Sequence, residues 1–297
     1  MKKSIFYYLT HPSIVVAILL SKLFDRYAIE YRWKQCMSYP LNLDNPQTFT
    51  EKLNWLKLHD RNPLYHKLVD KYEVKQWVAE RIGGEYVVKN YALYNSVDEI
   101  DFDKLPNNFV LKCTHNSGGM IICRDKSNLD IVKAKEMLLN GLNVRDYSKI
   151  NREWVYKSVR PRIIAEELLE DNTFDDLVNY KFLCFHGEPK IMYTTVKTDD
   201  IWENFYDMDF NPIEISHGYR KYEGVINKPD TFEEMKIIAR KLSQGIPHVR
   251  VDLYQIKGNV KFSELTFYDW GGIRPISPIE WDYKIGSWIN INYHTNK

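Results

Sequence analysis

Residues 109–124 read FVLKCTHNSGGMIICR, and this stretch restricts the folding of the chain more than any other. Two apolar runs, Phe109-Val110-Leu111 and Met120-Ile121-Ile122-Cys123, flank a polar segment that ends in Ser117-Gly118-Gly119. That is the pattern of two strands joined by a glycine-containing loop. Lys112 stands where the first strand ends. Glycine has no Cβ, so backbone N–H groups can approach an anion closely, and a lysine beside them adds a point charge. The stretch is therefore either an ordinary hairpin or a clamp for the phosphates of a nucleotide, and by itself it admits both.

The rest of the chain bounds the choice. With 297 residues there is enough sequence for one large domain or two packed ones, with a buried core and a cleft. Lys+Arg 41 against Asp+Glu 40 leaves a formal charge of +1, which gives no general attraction to nucleic acid, and no nucleic-acid partner is expected. Cys36, Cys113, Cys123 and Cys184 form neither a C-x-x-C pair nor a zinc-spaced cluster. Free thiols in a reducing, cytoplasmic compartment are the expectation. At the N-terminus Lys2-Lys3 precedes an apolar run, Ile14 to Leu20, that is far shorter than the roughly 20 apolar residues a bilayer span needs. A helix is expected there, either packed on the protein or, through residues 1–30 with Phe6, Tyr7 and Tyr8, in peripheral contact with the inner face of a membrane or a membrane enzyme.

Further along, Thr48 and Glu51 have capping-box spacing and open a helix to about His59. Asp70-Lys71 opens a second, carrying Val74, Trp77, Val78 and Ile82 and stopped by Gly83-Gly84. Lys71 in its first turn opposes the helix dipole, so it is either a solvated lysine or the partner of a ligand phosphate. Tyr86-Val87-Val88 and Ala92-Leu93-Tyr94 read as short strands, and a helix is predicted from about Leu129 to Leu142. The strand Arg162 to Ala165 delivers Glu166-Glu167-Leu168-Leu169, which is either a plain strand end or an edge that reads a purine amine while leucines cover the ring.

A hairpin follows, Tyr180 to Phe185 and Lys190 to Tyr193, with Lys181 alternating among apolar neighbours. Thr231 and Glu234 repeat the capping-box spacing ahead of a helix through about Gln244. The strands from His248 and from Val260 then place Arg250 and Asp252 on one face of the first, Glu264 and Thr266 on one face of the second. Two carboxylates on facing strands repel unless a cation lies between them, and hard carboxylate oxygens suit magnesium. The alternative is a charged ladder paired with Arg250.

The order Asp70-Lys71, Lys112 with Ser117-Gly118-Gly119, Glu166-Glu167-Leu168-Leu169, Arg250-x-Asp252 and Glu264-x-Thr266 resembles the ATP-grasp ligases. Whole segments, among them Asn45 to Trp55, Asp70-Lys71-Tyr72, LPNNFVLKCTHNSGG and YKFLCFHGEPK, look like the TupA-like ATP-grasp proteins of bacterial surface polysaccharide loci, the teichuronopeptide branch. The likeness runs from about Asn45 to the C-terminus. It implies an α+β chain with an ATP-grasp fold, two α+β subdomains clamping ATP. These would be a glycine-loop subdomain over 108–165 and a metal-binding subdomain over 166–297, within a domain 46–297 preceded by an N-terminal helical extension, 1–45.

The resemblance also implies roles. Lys71 and Lys112 would hold the phosphates of ATP, with Ser117, Gly118 and Gly119 closing over them. Glu166 would meet the adenine amino group, and the backbone at Glu167 and Leu169 would read the ring. Asp252 and Glu264 would hold Mg2+, and Arg250 would steady the transferring group. Lys181, Arg274 and the Gly271-Gly272 loop are candidates for the acceptor side. Thr266 departs from the asparagine usual at that place, which puts a second magnesium in doubt. The implied activity is an ATP- and Mg2+-dependent carboxylate–amine ligase working through an acyl phosphate. It would join an amine to a uronic acid, amino acid or peptide carboxylate in capsule or teichuronopeptide assembly. A glycosyltransferase of polysaccharide biosynthesis, or a noncatalytic nucleotide-binding protein, are the alternatives.

Overall fold

A computed structural model of the chain describes residues 25–116, 118–144, 146–170 and 177–291. Residues 1–24, which carry most of the expected N-terminal contact, and Ser117 lie outside the described residues. In chain order the helices are α1 (Asp25–Cys36), α2 (Phe49–His59), α3 (Leu64–Val69), α4 (Glu73–Ile82), α5 (Ile131–Leu142), α6 (Asp146–Lys149), α7 (Phe232–Ser243) and α8 (Ile279–Ser287). The strands are β1 (Asn90–Tyr94), β2 (Phe109–Cys113), β3 (Met120–Cys123), β4 (Ile163–Glu166), β5 (Asn179–Phe185), β6 (Glu188–Lys197), β7 (Ile201–Tyr206), β8 (Pro212–Ile213), β9 (Arg220–Lys221), β10 (His248–Ile256) and β11 (Asn259–Thr266). The elements form an α+β protein that divides into two compact units. The first takes in Pro63–Trp77 and Val88–Leu169; the second takes in Ile29–Asn62, Val78–Val87 and the described residues from Glu170 on.

The first unit is built on a four-stranded antiparallel sheet of order β1-β4-β2-β3. Alternation sends Leu111 and Cys113, Ile121 and Cys123, and Ile163 and Ala165 to one face, where they form a core with Ala134 and Leu138 of α5. Val110, Lys112, Ile122 and Glu166 are left on the other face. The predicted hairpin is present, with Lys112 opposite Met120. Asp130 caps α5 through the N–H of Lys133, at 2.9 Å.

Two expectations fail locally. Tyr86 belongs to a 3-10 turn, Gly84–Tyr86, and the strand starts only at Asn90. The second helix begins later than predicted, because the Asp70 carboxylate accepts from the N–H groups of Tyr72 (2.8 Å) and Glu73 (3.1 Å). Lys71 therefore lies in the turn ahead of α4, outside its first helical turn.

In the second unit the sheet runs β11-β10-β5-β6-β7-β8, antiparallel throughout, with β9 added in parallel to β7. Phe232, Met235, Ile238, Ala239 and Leu242 are the buried face of α7, whose Phe232 meets Phe182 of β5 at 5.9 Å. On β5 and β10 the alternate positions Phe185 and His248 meet Phe49 of α2, at 6.1 and 4.9 Å between rings. The capping box on α2 is formed, Thr48 Oγ1 accepting from Glu51 N and Glu51 Oε2 from Thr48 N. A second tie joins α2 to α8: fully buried Asp282 accepts from Thr50 N (3.0 Å), Thr50 Oγ1 (2.7 Å) and Tyr39 Oη (2.7 Å).

The box expected at Thr231 does not form. Thr231 Oγ1 turns to Gln255 Oε1 at 2.6 Å, and Glu234 accepts from Tyr86 Oη at 2.7 Å. Among the described residues no helix is long and apolar enough to cross a membrane.

Candidate functional site

Among the described residues, each unit gathers a cluster of charge around residues singled out in the sequence. In the first, the register that pairs Val110 with Glu166 and Lys112 with Ile164 puts Lys112 and Glu166 on one face of neighbouring strands. Their side chains form an ion pair, and Lys75 of α4 takes the second oxygen of Glu166 at 2.7 Å. Lys75 also donates to Val88 O at 2.9 Å and to Asn90 Oδ1. Glu166 is 4% exposed. Burial alone would raise its pKa, but Lys112 and Lys75 outweigh that and hold the carboxyl below its usual range. Lys75 is pushed the other way, its pKa lowered by burial against the pull of Glu166. With two lysines on one carboxylate the cluster keeps an excess positive charge.

The loop beside it is anchored at its start. Asn116 Nδ2 donates to Gly141 O at 2.6 Å. Gly119, at φ 67°, lies so close to α5 that a Cβ would meet Gly141 Cα at 2.9 Å and Cys113 Sγ at 3.2 Å, so this position requires glycine. Gly118 is exposed.

Of the residues singled out in the sequence, the structure brings Lys112 and Glu166 together. Lys71 meets the loop through its backbone, donating its N–H to Thr114 O at 3.0 Å. Lys75, absent from the sequence reading, is the second lysine on Glu166. Its only sequence signal is that it follows Lys71 by four residues, one helical turn. The expected partner of Glu166 was an adenine amino group, whereas both of its oxygens are held by lysines. Glu167 spends its N–H on Lys89 O at 2.9 Å, and Leu169 is half-buried.

The second cluster lies on β10, β11 and β5. Asp252 stands opposite Glu264 on one side and Lys181 on the other, as the alternation predicts. Arg250 Nε and Nη2 grip Asp252 at 2.7 Å each, and Lys181 Nζ joins at 2.6 Å. Arg250 Nη2 also reaches Glu264 Oε1 (3.2 Å) and Thr266 Oγ1 (3.0 Å). At its far end Nη1 donates to Asp269 and to Tyr193 Oη, the latter at 3.0 Å.

Burial opposes the charge on Arg250, but Asp252, Tyr193 and Asp269 together raise its pKa well above the usual arginine range. Burial likewise works against an ionised Asp269, and Arg250 overcomes it, so that carboxyl titrates below its normal value. Asp269 and Tyr193 are further residues that the sequence reading missed.

Magnesium was the cation expected between Asp252 and Glu264. The donor set suits a hard ion, with two carboxylates and the Thr266 hydroxyl on one face of the sheet and Glu264 about one-third exposed, at 32% of its side chain. The premise that the pair needs a metal to relieve repulsion is corrected, because Arg250 and Lys181 already supply the counter-charge. The residues fit the ion on condition that it replaces at least one of those pairings. Among the described residues no group of three or more His, Cys, Asp or Glu side chains forms a metal cage.

A family model, described as TupA-like ATPgrasp, matches residues 51–290. No curated protein matches the chain. Among solved structures, the D-alanine–D-alanine ligase of Helicobacter pylori is 11% identical, with 82% of this chain and 69% of that one covered and a TM-score of 0.43. The Bacillus anthracis enzyme of the same name is 14% identical over 68% of this chain and 57% of its own length, with a TM-score of 0.40. N5-carboxyaminoimidazole synthase of Aspergillus clavatus is 12% identical over 68% of this chain and 44% of its own, with a TM-score of 0.37. Likenesses this distant carry no argument about residues or reaction. The family match spans most of the chain, from the first turn of α2 to beyond α8, and the chain belongs to the TupA-like ATPgrasp family.

Proposed function

We propose that the protein is an ATP- and Mg2+-dependent carboxylate–amine ligase. It forms an amide on a uronic acid, amino acid or peptide carboxylate during assembly of a bacterial surface polysaccharide of the capsule or teichuronopeptide kind. The observation that carries this reading is the convergence of two cations, Arg250 and Lys181, on Asp252 opposite Glu264. Cations held by carboxylates that a divalent ion also favours can trade those partners for a phosphoryl group.

On the first unit Lys112 and Lys75 hold phosphate oxygens of ATP, with Glu166 keeping both lysines in place. Lys71 and the Ser117-Gly118-Gly119 loop complete the anion-binding surface, and the backbone at Glu167 and Leu169 reads the base. On the second unit Asp252 and Glu264 would hold magnesium, which when bound offsets charge on the phosphates. A substrate carboxylate oxygen attacks the γ-phosphorus, the bond to the bridging oxygen breaks and ADP leaves, while Arg250 and Lys181 offset the charge on the transferring oxygens. The amine nitrogen then attacks the acyl phosphate carbon, phosphate departs with the C–O bonding pair, and nitrogen gives up a proton.

Thermal unfolding with ATP, ADP and nucleotide sugars, each with and without Mg2+, tests the reading. ATP with magnesium should give the largest rise in Tm. Stabilisation by a nucleotide sugar alone would overturn it in favour of glycosyl transfer.

A further inference from the structure

We propose that Asp269 is a positioning residue that sets Arg250 for phosphoryl transfer, with the Tyr193 hydroxyl as its second support. This rests on the ligase reading above.

A guanidinium offers five N–H donors in one plane, so its orientation is fixed only if both ends of the fork are held. One end, Nε with Nη2, is held by Asp252, Glu264 and Thr266. Asp252 and Glu264 are also the carboxylates a divalent cation would engage, so their grip on Arg250 loosens whenever that cation binds. The other end, Nη1, is held by Asp269 and Tyr193. Tyr193 Oη closes the arrangement by donating to Asp269, 3.1 Å from Oδ1 and 3.0 Å from Oδ2. Asp269 is 1% exposed and Tyr193 2% exposed, so neither exchanges this partner for water.

Asp269 is itself held rigidly. It opens the loop Asp269–Gly272, in which Trp270, Gly271 and Gly272 all have positive φ, 49°, 64° and 62°. Two fully buried polar side chains of α2 fasten the carbonyls of this loop, Lys57 Nζ on Gly271 O at 2.5 Å and Asn54 Nδ2 on Gly272 O at 2.6 Å. A Cβ at Gly272 would lie 3.0 Å from both Asn54 and Leu53, so the loop seats tightly on α2. The chain of support runs from α2 through the loop to Asp269, and from Asp269 to the free end of Arg250. Misplacing a reacting or charge-stabilising group by about 1 Å costs on the order of 10²-fold in rate.

Asp269→Asn keeps the shape and an acceptor but removes the charge, and Arg250 keeps Asp252 and Glu264, so the variant should fold. The measurements are Mg2+-dependent release of ADP from ATP, ADP affinity and equilibrium unfolding, made in parallel on Asp269→Asn, Tyr193→Phe and Arg250→Ala. For Asp269→Asn the expectation is a fall in kcat of roughly 10- to 100-fold, with KM for ATP and ADP affinity within about threefold. Tyr193→Phe should lose about 3- to 10-fold in kcat. A merely structural role would lower Tm and leave the kcat of folded protein unchanged.

If Arg250→Ala leaves ADP release unchanged, the ligase reading itself falls. If Arg250→Ala abolishes release while the folded Asp269→Asn and Tyr193→Phe proteins turn over at the wild-type rate, the ligase reading stands and the positioning role is overturned. Should Asp269→Asn fail to fold, Tyr193→Phe, which removes only a hydroxyl, decides alone.

Discussion

Replacing Asp252 and Glu264 separately should uncouple stability from activity, because the two carboxylates carry different shares of the buried charge. The side chain of Asp252 is 0% exposed and accepts three hydrogen bonds from two cations. Asp252→Asn leaves Arg250 and Lys181 buried with too little counter-charge, and breaking a buried pair in this way costs about 3–5 kcal/mol. Glu264 is 32% exposed and touches Arg250 through one contact of 3.2 Å. Glu264→Gln leaves Arg250 paired with both Asp252 and Asp269, so after solvent screening the loss should be about 0–1 kcal/mol. Activity should fail in both, since each removes a charge proposed to hold magnesium, with Mg2+-dependent ADP release falling by at least about 10²-fold. Urea unfolding and ADP release measured on the same preparations check the contrast. If Glu264→Gln lost about 3 kcal/mol or more and kept its magnesium-dependent turnover, Glu264 would be a structural ion-pair partner and the metal assignment would be refuted.

The hairpin, one glycine and one buried acid give further tests. Lys112→Ala leaves Lys75 on Glu166, so the fold should survive a loss of about 1–3 kcal/mol while calorimetry shows ATP affinity down by at least about tenfold; unchanged affinity would remove the hairpin from the site. Gly286→Ala should cost about 1–3 kcal/mol in urea unfolding although alanine favours helices, because the new Cβ would meet backbone atoms Gln47 O at 2.3 Å, Phe49 N at 2.6 Å and Thr48 C at 2.6 Å; a gain in stability would refute this. Burial pushes the carboxyl of Glu203 up to about 7 from 4.5, so the folded state binds the extra proton and stability falls as pH rises through that window. Glu203→Gln should flatten this slope, worth at most about 3 kcal/mol, while Gln Oε1 still accepts from His217 N and Tyr219 N; an unchanged pH profile would assign the slope elsewhere.

What could be read from the sequence was what local rules decide. The hairpin over Phe109 and Cys123 and the face shared by Asp252 and Glu264 follow from two-residue alternation, which tertiary contacts did not disturb. Thr48 and Glu51 cap α2 as spaced. Thr231 and Glu234 have the same spacing and do not, because Gln255 and Tyr86, both distant in the chain, draw the two side chains away. Lys75 and Asp269 escaped for a related reason. In sequence each is a polar residue in a helix or an aromatic loop, and only the packing of α4 beside β4, or of the loop against α2, brings it to a charged partner.

That packing also sets how charge is shared within each cluster. Of the groups named in the first unit, Lys75 and Lys112 share the single carboxylate of Glu166 and leave positive charge over. In the second unit Arg250 and Lys181 supply counter-charge to Asp252, and Arg250 reaches Glu264 and Asp269 as well. An excess of either sign in a buried place is costly until a ligand of the opposite sign arrives. The positive excess of the first cluster is of the sign that the phosphates of a nucleotide offset. Taken unit by unit, each cluster holds cations on carboxylates that an incoming ligand would have to displace.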